Sequence, residues 1–312
     1  MTTRKASRLR KGDLIGIVSP ASPIADPMKI EAGVRYLESL GYRATVGEHA
    51  TKAVGYLAGS DKERVEDLHA MLSDKKVRAI LCVRGGYGTP RLLSLLDFRL
   101  ISANPKIIVG FSDITAIQLA IWKKCRLVTF HGPMLGVDMA GGMDSYAEEM
   151  FWRLITSTRK PERIEFNHNE AEPLHGGRSM GCLLGGNLSL LVSLLGTRFL
   201  PDFRDAVLFL EEVGEEPYRI DRMLTQLSNA RLLDRVKAIL GGSFSDCVPK
   251  DPKAPSRTTD DVLVEVAAAL RIPFLTKIPF GHVTRKLTLP VGVRARVDAD
   301  ARSIQLIEAA VK

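Results

Sequence analysis

The first half of the chain alternates short apolar runs with amphipathic helical segments, and this alternation restricts the fold more than any other feature. Residues 13–19 (DLIGIVS), 43–46, 78–84 (RAILCVR), 106–109 and 127–130 read as strands. Residues 28–40, 61–72, 90–96 and 113–124 read as the helices between them. Such alternation implies parallel strand pairing with helices on both faces of a sheet. Active sites in sheets of this kind gather beyond the carboxyl ends of the strands. Ser19, the run 85–88, Ser112 and His131 each follow a strand end, so one sheet edge can bring them together.

The second half has a different character. A helix is expected over 144–156, followed by a polar stretch at 158–177 that reads as a linker. Beyond it come a glycine-rich run (181–187), a helix (188–195), a strand (206–211), a helix (218–228), a strand (236–240) and a helix (259–270). A hairpin pairing 292–297 with 303–307 closes the chain. The expected organisation is an α/β fold with a parallel-sheet domain of Rossmann or flavodoxin type over 1–157 and a linker over 158–177. A C-terminal α+β domain with a mixed or barrel-like sheet follows over 178–312.

Composition narrows the function classes. With 312 residues the chain can bury a large core, and no apolar stretch approaches the length that spans a bilayer. The basic N-terminus is followed by an apolar run too short and interrupted for a signal peptide, so a cytoplasmic location is expected. The net charge is +8, yet Lys and Arg are interspersed with Asp and Glu, and aromatic residues make up 6%. Neither a basic stripe nor stacking platforms for bases are evident, and no nucleic-acid partner is expected. The four cysteines are far apart and lack metal-ligand spacing, as suits reduced, buried thiols.

Within KIIVGFSDIT (106–115), Gly110 stops an apolar run, Ser112 follows, and a helical pattern begins at once. A serine at a sharp strand-to-helix turn presents its hydroxyl beyond the sheet, beside the free N–H groups of the helix. The same position also suits an N-cap. A serine nucleophile needs a base, and the base needs an orienting carboxylate. His49, His69, His168 and His175 lie in helical or polar contexts and read as solvated. His131 in TFHGPM and His282 in PFGHVTRK remain, and the residues themselves do not choose between them. Glu211 and Glu212 close an apolar run in VLFLEEVGEE, where strand alternation puts them on opposite faces. At most one can orient a histidine; otherwise both mark the wet end of the strand. VRGGYGTPR (83–91) is a glycine-rich turn whose N–H groups can hold an oxyanion, without the spacing of a nucleotide fingerprint.

Together GDLIGIVSPASP, VRGGYG, GFSDIT, HGPM, GGNLSLLVSLLGT, LFLEEVGEEPYRIDRML and PFGH resemble the LD-carboxypeptidase family of serine peptidases, in the family's order and over nearly the whole chain. That family includes muropeptide LD-carboxypeptidases and microcin C immunity peptidases. The resemblance implies a triad of Ser112 as nucleophile, His282 as general base and Glu211 as its orienting carboxylate. It implies backbone N–H groups of Gly86 and Asp113 as oxyanion donors, and it leaves His131 as a nearby structural or substrate-side residue. Asn187, Arg84 and His131 are its expected substrate contacts, with N-capping of the following helix an equal alternative for Asn187. Arg84, Arg285 and Lys286 flank the motifs as candidate cations for a substrate carboxylate, and each also reads as an ordinary surface cation. No metal or cofactor is expected. The implied activity is release of the terminal D-alanine from muropeptide tetrapeptides in peptidoglycan recycling, by a homodimer. The competing expectations are a microcin-immunity-like peptidase cleaving an acyl-aminoacyl nucleotide, and a non-catalytic protein binding an anionic ligand.

Overall fold

The computed structural model describes residues 2–159, 163–164, 166–251, 253 and 255–312. The first half contains β1 (Leu14–Val18), α1 (Met28–Ser39), β2 (Arg43–Val46), α2 (Asp61–Ser73), β3 (Val77–Cys82), α3 (Phe98–Ala103), β4 (Ile107–Gly110), α4 (Thr115–Cys125), β5 (Thr129–His131) and α5 (Ser145–Thr156). The second contains β6 (Glu172–His175), β7 (Arg178–Asn187), α6 (Leu188–Ser193), β8 (Ala206–Val213), α7 (Pro217–Asn229), β9 (Ala238–Ser245), α8 (Thr259–Leu270), β10 (Phe274–Thr276), β11 (Leu289–Val291), β12 (Arg294–Asp298) and β13 (Ser303–Leu306).

The first sheet runs in the order β11-β5-β4-β3-β1-β2. Strands β1 to β5 pair in parallel, and β11 closes the edge antiparallel to β5. Strand β4 is buried throughout, as expected of a central strand covered on both faces. The second sheet is mixed, in the order β13-β12-β7-β8-β9-β10-β6, with β7 to β10 parallel and the other three antiparallel at the edges. An α/β fold with one mostly parallel and one mixed sheet is the class the sequence implies.

Local signals set many boundaries. Ser60 and Glu63 form a capping box that starts α2, and Thr258 with Asp261 does the same for α8. Helix α4 is buried on nearly all sides because it lies between the first sheet and the α6–β7 corner. At that corner the Asn187 N–H donates to Thr115 Oγ1 at 3.1 Å.

Other elements depart from expectation. The helix expected at 90–96 is only a 3-10 turn, Thr89–Leu92, and Asp97 caps α3 behind it through the N–H groups of Arg99 and Leu100. The stretch expected as a linker carries β6, which pairs with β10; residues 160–162 and 165 of that stretch lie outside the described residues. The glycine-rich run belongs to β7, a full strand in the centre of the second sheet. The cysteines are free thiols, and burial pushes Cys82 up to about 12. Among the described residues, no helix is long and apolar enough to cross a membrane.

Candidate active site

Ser112 sits where β4 turns into α4. Phe111 is extended, with φ −146° and ψ −170°, and Ser112 then takes the left-handed region at φ +61°. A non-glycine residue there costs about 1–2 kcal/mol, and such strain persists where the surroundings enforce it. A 3-10 turn, Ser112–Ile114, leads into α4, whose N-cap is Ile114; Ser112 makes no capping hydrogen bond. The capping alternative is thereby corrected. Gln118 holds the turn from below, its Nε2 donating to the carbonyls of Gly110 (2.9 Å) and Phe130 (2.7 Å). The buried Asp113 carboxylate accepts the Thr89 N–H at 2.8 Å. Burial pushes the Asp113 carboxyl up, against donors from Thr89 and Gly88.

The glycine loop after β3 lies against this turn. A Cβ on Gly85 would stand 3.0 Å from Ser112 Oγ and 3.4 Å from the Asp113 nitrogen, so only glycine permits the approach. Among the described residues, neither the Gly86 nor the Asp113 N–H donates to a protein acceptor. Ser22, from the segment after β1, braces the loop: its N–H reaches the Gly85 carbonyl at 3.3 Å and its Oγ accepts the Tyr87 N–H at 3.0 Å. Arg64 on α2 is a second brace, which sequence reasoning missed. Its fully buried guanidinium donates to the carbonyls of Pro20 (2.6 Å) and Gly88 (3.1 Å) and pairs with Asp61. Its position in the polar run DKERVED resembles that of any solvated cation. Arg84 is half-buried, and its Nη1 donates to the Pro23 carbonyl at 3.2 Å.

Strand β8 of the second sheet supplies the carboxylate, and the loop between β10 and β11 supplies the histidine. Glu211 on β8 is fully buried, and its Oε2 lies 2.7 Å from His282 Nδ1. Burial pushes the Glu211 carboxyl up, and the hydrogen bond to His282 opposes that rise. Ser245 Oγ fixes the backbone by donating to the His282 carbonyl at 2.8 Å. With Nδ1 turned to the carboxylate, the hydrogen-bond pattern assigns the proton to Nδ1 and leaves Nε2 as the basic nitrogen. The imidazole stands 4.9 Å from the ring of Phe111, the residue before Ser112. No hydrogen bond joins Ser112 Oγ to His282 among the described residues, so only the His–Glu half of the set is already closed; such contacts commonly tighten on substrate binding.

Glu212 faces the other way and is also buried, so the pair does not mark a wet strand end. It accepts from Asn187 Nδ2 (2.7 Å), the Val213 N–H (3.0 Å), the Ser189 N–H (2.8 Å) and Ser189 Oγ (2.6 Å). Asn187, expected as a substrate contact, is committed at both ends of its amide. Its Oδ1 caps α6 at the Leu190 N–H (3.2 Å) while its Nδ2 holds Glu212.

His131 is buried among Phe111, Phe209 and Phe280, with ring centroids 5.8, 5.4 and 6.3 Å away. Both its nitrogens are buried without a partner, and burial, with His282 and Lys286 nearby, pushes it down to about 3. Such a ring stays neutral at physiological pH and lies out of a substrate's reach, which corrects its expected place among the substrate contacts. The other four histidines are not simply solvated either; His69 Nε2, for example, accepts the Asp97 N–H at 3.0 Å.

A cavity of ≈ 390 Å³ opens beside His282, walled by Phe111, Val137, Asp138, Met143 and Lys286. The buried Lys286 Nζ lies 2.5 Å from Asp138 Oδ1 and 4.2 Å from the Phe111 ring centroid. Arg285 instead stacks on Tyr146 at 4.7 Å. Among the described residues, no group of three or more His, Cys, Asp or Glu side chains is disposed to hold a metal ion.

Both halves of the chain match known proteins. Residues 15–132 match the family model for the LD-carboxypeptidase N-terminal domain, and residues 180–297 match its C-terminal counterpart. A probable murein peptide carboxypeptidase of Bacillus subtilis is 40% identical over 98% of this chain and 95% of its own length. The crystal structure of a muramoyltetrapeptide carboxypeptidase from Oxalobacter formigenes is 32% identical, with a TM-score of 0.83 over 94% of this chain and 97% of its own. The structure of the microcin C7 self-immunity protein MccF in complex with aspartyl sulfamoyl adenosine is 27% identical, with a TM-score of 0.92 over 99% and 100% of the two chains.

Proposed function

The chain belongs to the LD-carboxypeptidase family of serine peptidases, and from that premise we propose that it removes the terminal D-alanine from muropeptide tetrapeptides by hydrolysing their L,D-amide bond. Ser112 is the nucleophile, His282 the general base and Glu211 the carboxylate that orients it. The observation that carries this reading is the 2.7 Å contact of a buried Glu211 with His282, beside a serine held in the left-handed region.

His282 Nε2 takes the Ser112 proton as the oxygen attacks the carbonyl carbon. Glu211 keeps the proton on Nδ1 and stabilises the imidazolium that forms. The N–H groups of Gly86 and Asp113 receive the oxyanion, where fixed donors are worth a few kcal/mol each. His282 then protonates the departing amine, and water releases the acyl group from Ser112. The nucleophile comes from residues 1–157, which supply five strands of the first sheet, and the base from the second half, whose β11 completes that sheet. Ser112 therefore depends on both halves being held together. By family likeness the enzyme is a cytoplasmic homodimer, which equilibrium sedimentation tests for the dimer.

The test is D-alanine release from a tetrapeptide ending in meso-diaminopimelyl-D-alanine, with Ser112→Ala and His282→Ala beside the wild type. Both variants should lose at least about 1,000-fold in kcat. Activity surviving in Ser112→Ala ends the serine mechanism, and loss in His131→Ala but not in His282→Ala moves the base. A second reading, cleavage of an aminoacyl-nucleotide conjugate, is favoured by one feature. Tyr56 and Tyr87, 65% and 50% exposed, form an edge-to-face pair 5.4 Å apart at the glycine loop and could stack a base. An aspartyl-adenylate mimic in the same assay separates the two. A purely binding role leaves the Glu211–His282 pair without a purpose.

A further inference from the structure

The reaction above fixes which side of Ser112 each half of the substrate occupies, and this inference rests on that reading. His282 must hand its proton to the departing nitrogen, so the released amino acid lies on the His282 side. The cavity of ≈ 390 Å³ is on that side: His282 and Phe111, the residue before the nucleophile, form part of its wall. The glycine loop packs against Ser112 and is not among the residues lining that cavity.

The amino acid a carboxypeptidase releases carries a free carboxylate, and a carboxylate drawn into a half-closed cavity needs a cationic donor. Three cations flank the motifs. Arg84 turns to the Pro23 carbonyl and Arg285 stacks on Tyr146. Among the described residues, Lys286 is the one Lys or Arg that lines the cavity. We propose that Lys286, held over the Phe111 ring by Asp138, reads the substrate's terminal carboxylate and so makes the enzyme an exopeptidase.

The hydrogen-bond inventory supports this. An ammonium has three donors. One goes to Asp138 Oδ1 at 2.5 Å, and the face of Phe111 lies 4.2 Å from the nitrogen. The remaining donor is available to the cavity. Asp138 is itself fixed, because its Oδ2 accepts the Met134 N–H at 2.8 Å. The ammonium is thereby locked in position before substrate arrives, a form of preorganisation that spares ordering entropy on binding. Partial neutralisation by Asp138 also weakens the hold on free product, which favours its release. Gly141 and Gly142, where an added Cβ would meet nothing within 4 Å, leave the outer wall open.

The experiment compares two tetrapeptides that differ only at the C-terminus, one ending in D-alanine and the other in D-alaninamide. The wild type should prefer the free acid by at least about 100-fold in kcat/KM. In Lys286→Met, which keeps the stem and removes the charge, that ratio should fall to within about 3-fold of unity, with Lys286→Arg restoring part of it. A merely structural role would lower both activities and leave the ratio intact, and an unchanged ratio overturns the proposal. Should the Met variant fail to fold, Lys286→Gln decides: its acid-to-amide ratio should likewise fall to within about 3-fold of unity, and an unchanged ratio overturns the proposal. A wild type that cleaves the acid while Lys286→Met keeps its preference sinks this inference alone. A wild type that cleaves neither peptide sinks the peptidase reading, and this inference with it.

Discussion

Gly281 and Glu211 are fitted to each other: a Cβ on Gly281 would stand 2.7 Å from Glu211 Oε2 and 2.8 Å from its Cβ. Gly281 also holds φ at +97°, a region that side chains rarely adopt. The residue before His282 is therefore a glycine for two independent reasons. One is backbone conformation, and the other is the room that the orienting carboxylate occupies.

Gly281→Ala should accordingly injure catalysis more than folding. The added methyl must push Glu211 away from His282 or rotate the imidazole. A displacement of about 1 Å at a reacting group can cost about 100-fold in rate. The strained φ adds about 1–3 kcal/mol of destabilisation. Steady-state kinetics beside a thermal melt check this; wild-type kcat in a folded Gly281→Ala would refute the fit.

Glu211 and Glu212 are adjacent and both buried, yet their amide variants should fail in opposite ways. Burial raises the Glu211 carboxyl, so the folded state favours its protonated form, and stability is lost as pH rises through the folded pKa. Glu211→Gln removes that loss and should fold at least as stably as the wild type at neutral pH. Its kcat should nevertheless fall by about 1,000- to 10,000-fold, since an amide does not stabilise the imidazolium. Glu212 accepts four hydrogen bonds. Glu212→Gln turns an NH₂ toward donors and should cost about 2–4 kcal/mol of stability. Equal effects of the two variants on Tm and kcat would contradict this division of labour.

His131 gives the protein a pH signature. Burial holds it down to about 3, whereas an unfolded chain protonates histidine near 6.5. Below about pH 6.5 the unfolded state binds a proton that the folded state refuses, so stability falls as the solution becomes acid. Between pH 7 and pH 4 this one group costs roughly 3 kcal/mol. His131→Phe suits the aromatic cage and removes the titration, so its stability should decline less over that interval. Denaturant midpoints at both pH values measure the gap; parallel declines would show that His131 does not titrate in this way.

Much of the architecture could be read from local pattern, because apolar periodicity and capping residues act within a few positions. Strand β2 and helix α8 begin and end where their sequences imply. The misses share a physical cause, dependence on distant chain. Strand β11 is three residues, LPV, paired with β5 from the other half. LEE resembles a solvated strand end until Asn187 and Ser189 arrive to saturate Glu212. Of the site, Ser112 stood out through its turn, but no local signal separated His282 from His131. The family resemblance makes that choice, and the two rings differ in their surroundings: one meets a carboxylate while the other is buried among aromatic rings.

Arg64 provides the sharpest test of how the glycine loop, proposed to hold the oxyanion, is kept in place. Its guanidinium, with a fully buried side chain, ties the Gly88 carbonyl to that of Pro20, so the loop carrying Gly86 is fixed from beneath. Arg64→Met keeps much of the stem and removes those donors. It leaves two carbonyls unpaired and Asp61 with Arg91 as its remaining ion-pair partner. Each of the two carbonyls left without its donor costs about 1–3 kcal/mol. The kinetic effect should fall on kcat, because an oxyanion donor is used only once charge develops on the carbonyl oxygen. A loss of about 100-fold in kcat with KM changed less than about threefold is expected from one misplaced donor. Arg64→Lys retains a cation but not the two-armed reach of a guanidinium, so it should recover stability before it recovers rate. Should Arg64→Met instead raise KM at constant kcat, the loop would be acting in substrate binding, and Gly86 would lose its place as an oxyanion donor.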